Sequence, residues 1–284
     1  MTTQTATAPV TARTCTPEGR VTRSLLGYGP LAGTVFVGSI FLQGLTRRGF
    51  SIAHDDASLL ANGPLGWIQV VTFLVAGAMT IAAAAGVHRA LPSRWASWLI
   101  GLFGAGLMAA GVFRADPADG FGPGAPAGKA VHVSWHGDGH LIAASIGFIA
   151  VIAACFVVAR YLSRAGHRGL AAYSRITGVA FLAAFAGVTT GSSSPAVVLP
   201  FYAAVAAVFT CLAVVCVHPG DRAGTVARPG RPGRARRLAD GHRETPGHRP
   251  GPPPRPLQPE TPGSRPRHGS TGAGARGTRR RGHG

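Results

Sequence analysis

Six stretches of this chain are too long, too apolar and too poor in charge to fold in water. They cover residues 25–45, 65–87, 95–113, 141–159, 171–190 and 196–217. A helix rising ~1.5 Å per residue crosses a hydrocarbon core of ~30 Å in about this length. Five of the six contain no Asp, Glu, Lys or Arg. The run at 171–190 holds only Arg175, one turn inside its start, where a long side chain snorkels to the headgroups. Backbone in lipid must satisfy its own hydrogen bonds, so such runs are helices or closed barrels. Barrel strands alternate over ~10 residues, whereas these runs are apolar on every side. The predicted class is all-α: a polytopic membrane bundle of six transmembrane helices.

Charge divides the rest. Lys and Arg number 28 against 10 Asp and Glu, a net charge of +18. Such a balance first suggests nucleic acid. Its distribution argues otherwise, because residues 218–284 carry most of the excess and residues 25–217 keep their charges between the apolar runs. No nucleic-acid partner is expected. Residues 1–24 have no apolar run, so the first apolar run is read as a retained helix after a disordered N-terminus, not as a cleaved signal. Residues 218–284 are rich in Arg, Pro and Gly and cannot bury enough apolar surface to offset ordering entropy, which predicts a disordered tail. Its clusters Arg234-Ala-Arg236-Arg237 and Arg279-Arg280-Arg281 offer a surface to anionic lipid. The same composition arises when GC-rich DNA is translated without constraint, and an unselected extension is the preferred reading.

Orientation follows from the short segments. Arg13, Arg20, Arg23, Arg89, Arg94, Arg160, Arg164 and Arg168 fall on one side, and Arg47, Arg48, Arg114 and Lys129 on the other. The positive-inside rule then puts both termini in the cytoplasm of a cell whose plasma membrane holds the bundle. Trp67, Trp95, Trp98 and Trp135 lie at or near predicted helix ends, as an aromatic belt does. The first and third loops fall outside. They hold Asp55, Asp56, Asp116, Asp119 and Asp138, with His54, His132, His136 and His140.

The most chemical-looking stretch is His132-Val-Ser-Trp-His136-Gly-Asp138-Gly-His140. Two His four apart share a helix face and can share a metal. Asp138 is the expected N-cap of a helix starting near Gly139. Asp116-Pro-Ala-Asp119 follows the third run and can complete a site with His136 and His140, or simply stop the helix as a turn. These four residues are the candidate metal ligands, with zinc as the candidate ion. The competing reading makes the His residues interfacial side chains bonded to headgroups, loop carbonyls or Asp138. The glycines at 101, 104, 106 and 111 read as close helix contacts. Cys155, Cys211 and Cys216 read as small apolar residues, with no disulfide implied.

Several segments together resemble a family of prokaryotic six-helix membrane proteins known as domain of unknown function 998. They are Gly29-Pro-Leu-Ala-Gly33, Gln43-Gly-Leu-Thr-Arg47, the run from Ser58 through Gly63 and Trp67 to Gln69, the run from Gly111 through Asp116 and Asp119 to Phe121, and Ser134-Trp-His136-Gly with His140. The likeness covers roughly residues 25–190 and leaves out the sixth run and the tail. It implies a six-helix bundle and no activity.

Three functional readings stay open. The first is a non-catalytic membrane protein with an envelope, sensing or complex role and a His/Asp-bearing outer face. The second is a metal-dependent intramembrane hydrolase of a lipid or amide, in which His136, His140 and Asp116 or Asp119 hold the ion that activates water. It is distantly similar to the ceramidase and progestin-receptor hydrolases, which have seven helices. The third, a small-solute transporter, is disfavoured by spans that lack acidic residues.

Overall fold

The computed structural model describes residues 16–129 and 132–223. Residues 1–15 and 224–284, with the Arg clusters of the expected tail, lie outside them, whereas residues 17–24 and 218–223, expected as disordered, are helical ends of α1 and α6. Six α-helices carry the described chain: α1 (Pro17–Thr46), α2 (Gly66–Ala90), α3 (Arg94–Val112), α4 (Trp135–Arg164), α5 (Arg168–Val188) and α6 (Pro195–Ala223). A short 3-10 turn, Ala57–Ala61, interrupts the α1–α2 loop. All six helices contain stretches long and apolar enough to cross a membrane. The protein is a multi-pass membrane bundle.

Helix ends depart from the apolar runs because capping, not hydropathy, sets them. The α1 helix begins at Pro17, where Thr16 accepts a bond from Gly19 N and proline sits in the first turn. The α4 helix begins at Trp135, ahead of its apolar run, and its N-cap is Ser134, whose hydroxyl accepts from Gly137 N. The expectation of an Asp138 cap is therefore corrected: Asp138 lies inside the first turn, where its charge complements the helix dipole. The α6 helix starts at Pro195, one residue ahead of its apolar run, with proline in the first position, where its missing N–H costs little.

Each helix packs on its neighbours in the chain, and α6 closes back onto α1, so the six form a ring. Without a hydrophobic drive between helices in lipid, close packing needs small residues at the contact. The α3–α4 crossing is built on Gly106 and Gly147: a Cβ added to Gly106 would come within 2.8 Å of the Gly147 Cα. At the α2–α3 crossing a Cβ on Gly104 would come within 2.8 Å of the Gly77 carbonyl oxygen. The outward face is apolar. Leu42, Ile142 and Ile176 are each more than 60% exposed, a surface suited to lipid chains. Trp67, Trp95, Trp98 and Trp135 are also strongly exposed near helix starts, the geometry of an interfacial belt.

Candidate functional site

The α1–α2, α3–α4 and α5–α6 loops gather at one end of the ring. Lys129 joins them. Its Nζ donates to Asp119 Oδ2 at 2.8 Å and to Asp56 Oδ2 at 3.1 Å. Ser193 Oγ donates to the other oxygen of Asp119 at 2.9 Å, and His54 Nδ1 donates to the Ser193 carbonyl. Asp119 adopts a left-handed backbone, φ 52, which Asp tolerates better than most residues. Burial works against the Lys129 ammonium, but the bonds to Asp119 and Asp56 outweigh it and hold its pKa above the usual lysine value. Asp55 is 4% exposed and accepts from Ser51 N. Its burial, with the nearby Asp119 charge, pushes its carboxyl above the usual carboxylate range.

Arg47 fixes the same loops from below. It follows α1 directly and donates to the carbonyls of Leu60 and Asn62, the latter at 2.5 Å. Its guanidinium stacks 5.0 Å from the Phe121 ring. Asn62 in turn donates to the Ala115 carbonyl. Tyr202 of α6 donates to the Asp55 carbonyl at 2.9 Å.

Asp116 anchors the start of α4. Ser134 donates to it twice, from N to Oδ2 at 2.7 Å and from Oγ to Oδ1 at 2.6 Å. A Cβ on Gly137 would collide with the same carboxylate, so glycine lets Asp116 reach the cap. One turn further, His140 is 6% exposed and points its Nδ1 at the carbonyls of Ala110 and Phe113, 2.8 and 2.9 Å away. Both partners are acceptors, so Nδ1 carries the proton and Nε2 keeps its lone pair in the neutral ring.

Beneath these loops, inside the ring, lies a cavity of about 510 Å³. Ligand pockets commonly fall between ~300 and ~1,000 Å³. All six helices contribute to its wall. Phe73, Phe103, Phe148, Phe181, Phe201 and Phe209 dominate the lining, and edge-on contacts such as Phe148–Phe181 (5.2 Å) and Phe148–Phe201 (5.6 Å) hold the rings in place. The polar lining is sparse: Asp56, Ser58, Asp116, Lys129, His140, Ser145, Thr189 and Tyr202.

The four candidate metal ligands divide over this site. His140 and Asp116 both line the cavity, whereas His136 and Asp119 do not. His136 is exposed and stacks on Trp135. Asp119 is held by Lys129 and Ser193. Among the described residues no group of three or more His, Cys, Asp or Glu side chains is arranged to hold a metal ion. The parts that build the site are not legible in the sequence. Lys129 and Asp56 are 73 residues apart, and only the folded loops bring them together. Arg47 and Asn62 lay within the family-like segments, but without a physical role.

No curated protein and no solved structure matches the chain. One family model does, from residue 30 to 238, and so takes in the sixth helix that the sequence reading left outside the resemblance. Six apolar helices and a match over most of the sequence agree, and the chain belongs to the family described as Protein of unknown function (DUF998).

Proposed function

We propose that this protein is a non-catalytic, multi-pass protein of the plasma membrane that holds an apolar membrane molecule in the cavity of its helix ring. Both termini lie in the cytoplasm and the cavity opens on the extracytoplasmic side, on the strength of the charge asymmetry between the two sets of loops. The role is one of sensing or envelope maintenance. One observation carries the reading: a ring of six helices leaves about 510 Å³ of phenylalanine-lined space where packed helices would leave little. A mostly apolar cavity with few polar groups is the form a ligand site takes.

Native mass spectrometry of protein released from gentle detergent tests it. Wild-type protein should carry a lipid-sized adduct, and Ala144→Trp, which fills the cavity from α4, should carry none. Wild-type protein that flies bare under conditions preserving the fold contradicts the reading. Metal analysis of the same sample decides the hydrolase alternative. Stoichiometric zinc, lost in His140→Ala, would replace the non-catalytic reading with the catalytic one.

A further inference from the structure

The cavity has a mouth between two helix ends. The residues that both line it and are exposed mark its mouth. Val133 and Leu141, beside the start of α4, are 47% and 56% exposed. Thr189 and Gly191, at the end of α5, are exposed as well. The opening therefore lies between the loop-bearing ends of α4 and α5. Trp135, at the first turn of α4 and 69% exposed, sets this level at the membrane interface. Val133 and Leu141 make the α4 side of the mouth apolar, a surface that suits a molecule arriving from the bilayer.

The charged groups that line the cavity near its mouth, Asp56 and Asp116 against Lys129, leave it net negative. Lys129 bonds Asp119 and Asp56 at once. Asp56 uses Oδ2 for that contact, and its Oδ1 has no hydrogen-bond partner among the described residues. His140 lines the cavity and points Nδ1 at two carbonyls, and its Nε2, an acceptor in the neutral ring, has no hydrogen-bond partner among the described residues. Asp116 adds a further negative charge to the wall. A carboxylate or phosphate entering here meets like charge, and like charges brought together in a partly dry site are costly. A hydroxyl or ammonium meets two unused acceptors.

We infer that the ligand is a single-chain membrane amphiphile with a hydrogen-bond-donating, non-anionic head. It enters laterally between α4 and α5, sets its head against Asp56 and His140, and lays its chain among the phenylalanines. This rests on the reading that the cavity holds a membrane molecule.

The test uses the full chain in phosphatidylcholine nanodiscs loaded with a pyrene-labelled long-chain alcohol. The competitors are an alkanol, a primary alkylamine and a fatty acid of equal chain length. The alkanol and the amine should each displace the label at concentrations at least about tenfold below the fatty acid. An amine stronger than the alkanol assigns the head to the Asp56 charge, and equality assigns it to hydroxyl donation. Asp56→Asn should cut the amine's advantage over the fatty acid about tenfold. Val205→Trp, which fills the cavity from α6, should abolish label binding. A fatty acid that competes as well as the other two, with Val205→Trp still blocking the label, overturns the headgroup assignment and leaves the cavity reading standing. Failure of wild-type protein to bind any probe overturns both.

Discussion

At the scale of single residues, the loop-bearing end is held by charge and by backbone carbonyls. Lys129 is the joint, with 36% of its side chain exposed, so solvent screens part of its contribution. Lys129→Met should cost about 1–2 kcal/mol in detergent unfolding. It should also open the α3–α4 loop to limited proteolysis. Because the native pKa of Lys129 is raised, this stabilisation is complete below the ordinary lysine value of 10.5 and disappears as pH rises through the native value. The Lys129→Met penalty should therefore shrink above pH ~10.5. Asp55 has the opposite sign. Its native pKa is raised, so the folded state favours the protonated acid and loses stability as pH rises past the ordinary carboxylate value. Asp55→Asn keeps an oxygen for the Ser51 N–H and removes the buried charge. It should match or exceed wild-type stability at pH 7, with the difference vanishing near pH ~3. A marked loss of stability at pH 7 would contradict this. His140 and Asp116 are legible as residues of interest because their types are chemical and because His136 and His140 stand four apart. Their actual partners, two carbonyls and a capping serine, are not, since carbonyls leave no trace in a residue pattern.

Among elements, hydropathy located every span and missed the ends. The α4 helix shows why. Its apolar run starts at 141, but Ser134 capped by Asp116 extends the helix through polar residues. Helix contacts were half legible. Glycines at 104 and 106 were read as close contacts, and the structure sets them against Gly77 and Gly147. Gly106→Ala should destabilise by about 1–3 kcal/mol through forced separation of α3 and α4. Gly38→Ala, where a Cβ meets nothing within 4 Å, should be neutral or slightly stabilising by thermal unfolding in detergent. Equal effects would show that the α3–α4 contact is not close. The α1–α2 pair carries a buried amide bond, Gln43 Nε2 to Gln69 Oε1 at 2.7 Å, and Ser39 continues it to Thr72. Gln43→Leu alone strands the Gln69 amide and should cost about 1 kcal/mol. Gln43→Leu with Gln69→Leu should recover most of that loss, and a double-mutant cycle by thermal unfolding measures it. An additive double mutant would mean the two amides act independently.

For the whole molecule, ring closure is the fact that sequence could not supply. Six spans can pack in many orders, and no periodicity announces that α6 returns to α1 around an aromatic cavity. No residue pattern singles out the phenylalanines of the cavity, since nothing in a run that is apolar on all faces says which face turns inward. The charge pattern gives an expected sidedness, on which the cavity's proposed exposure to the outer leaflet depends. That is measured by single-cysteine labelling in intact cells, with the natural cysteines replaced. Ala127→Cys, exposed in the α3–α4 loop, should react with a membrane-impermeant maleimide before lysis. Arg168→Cys, exposed at the start of α5, should react only after permeabilisation. Labelling of both before lysis, or of Ala127→Cys only after it, would contradict six spans with the loop-bearing end outside.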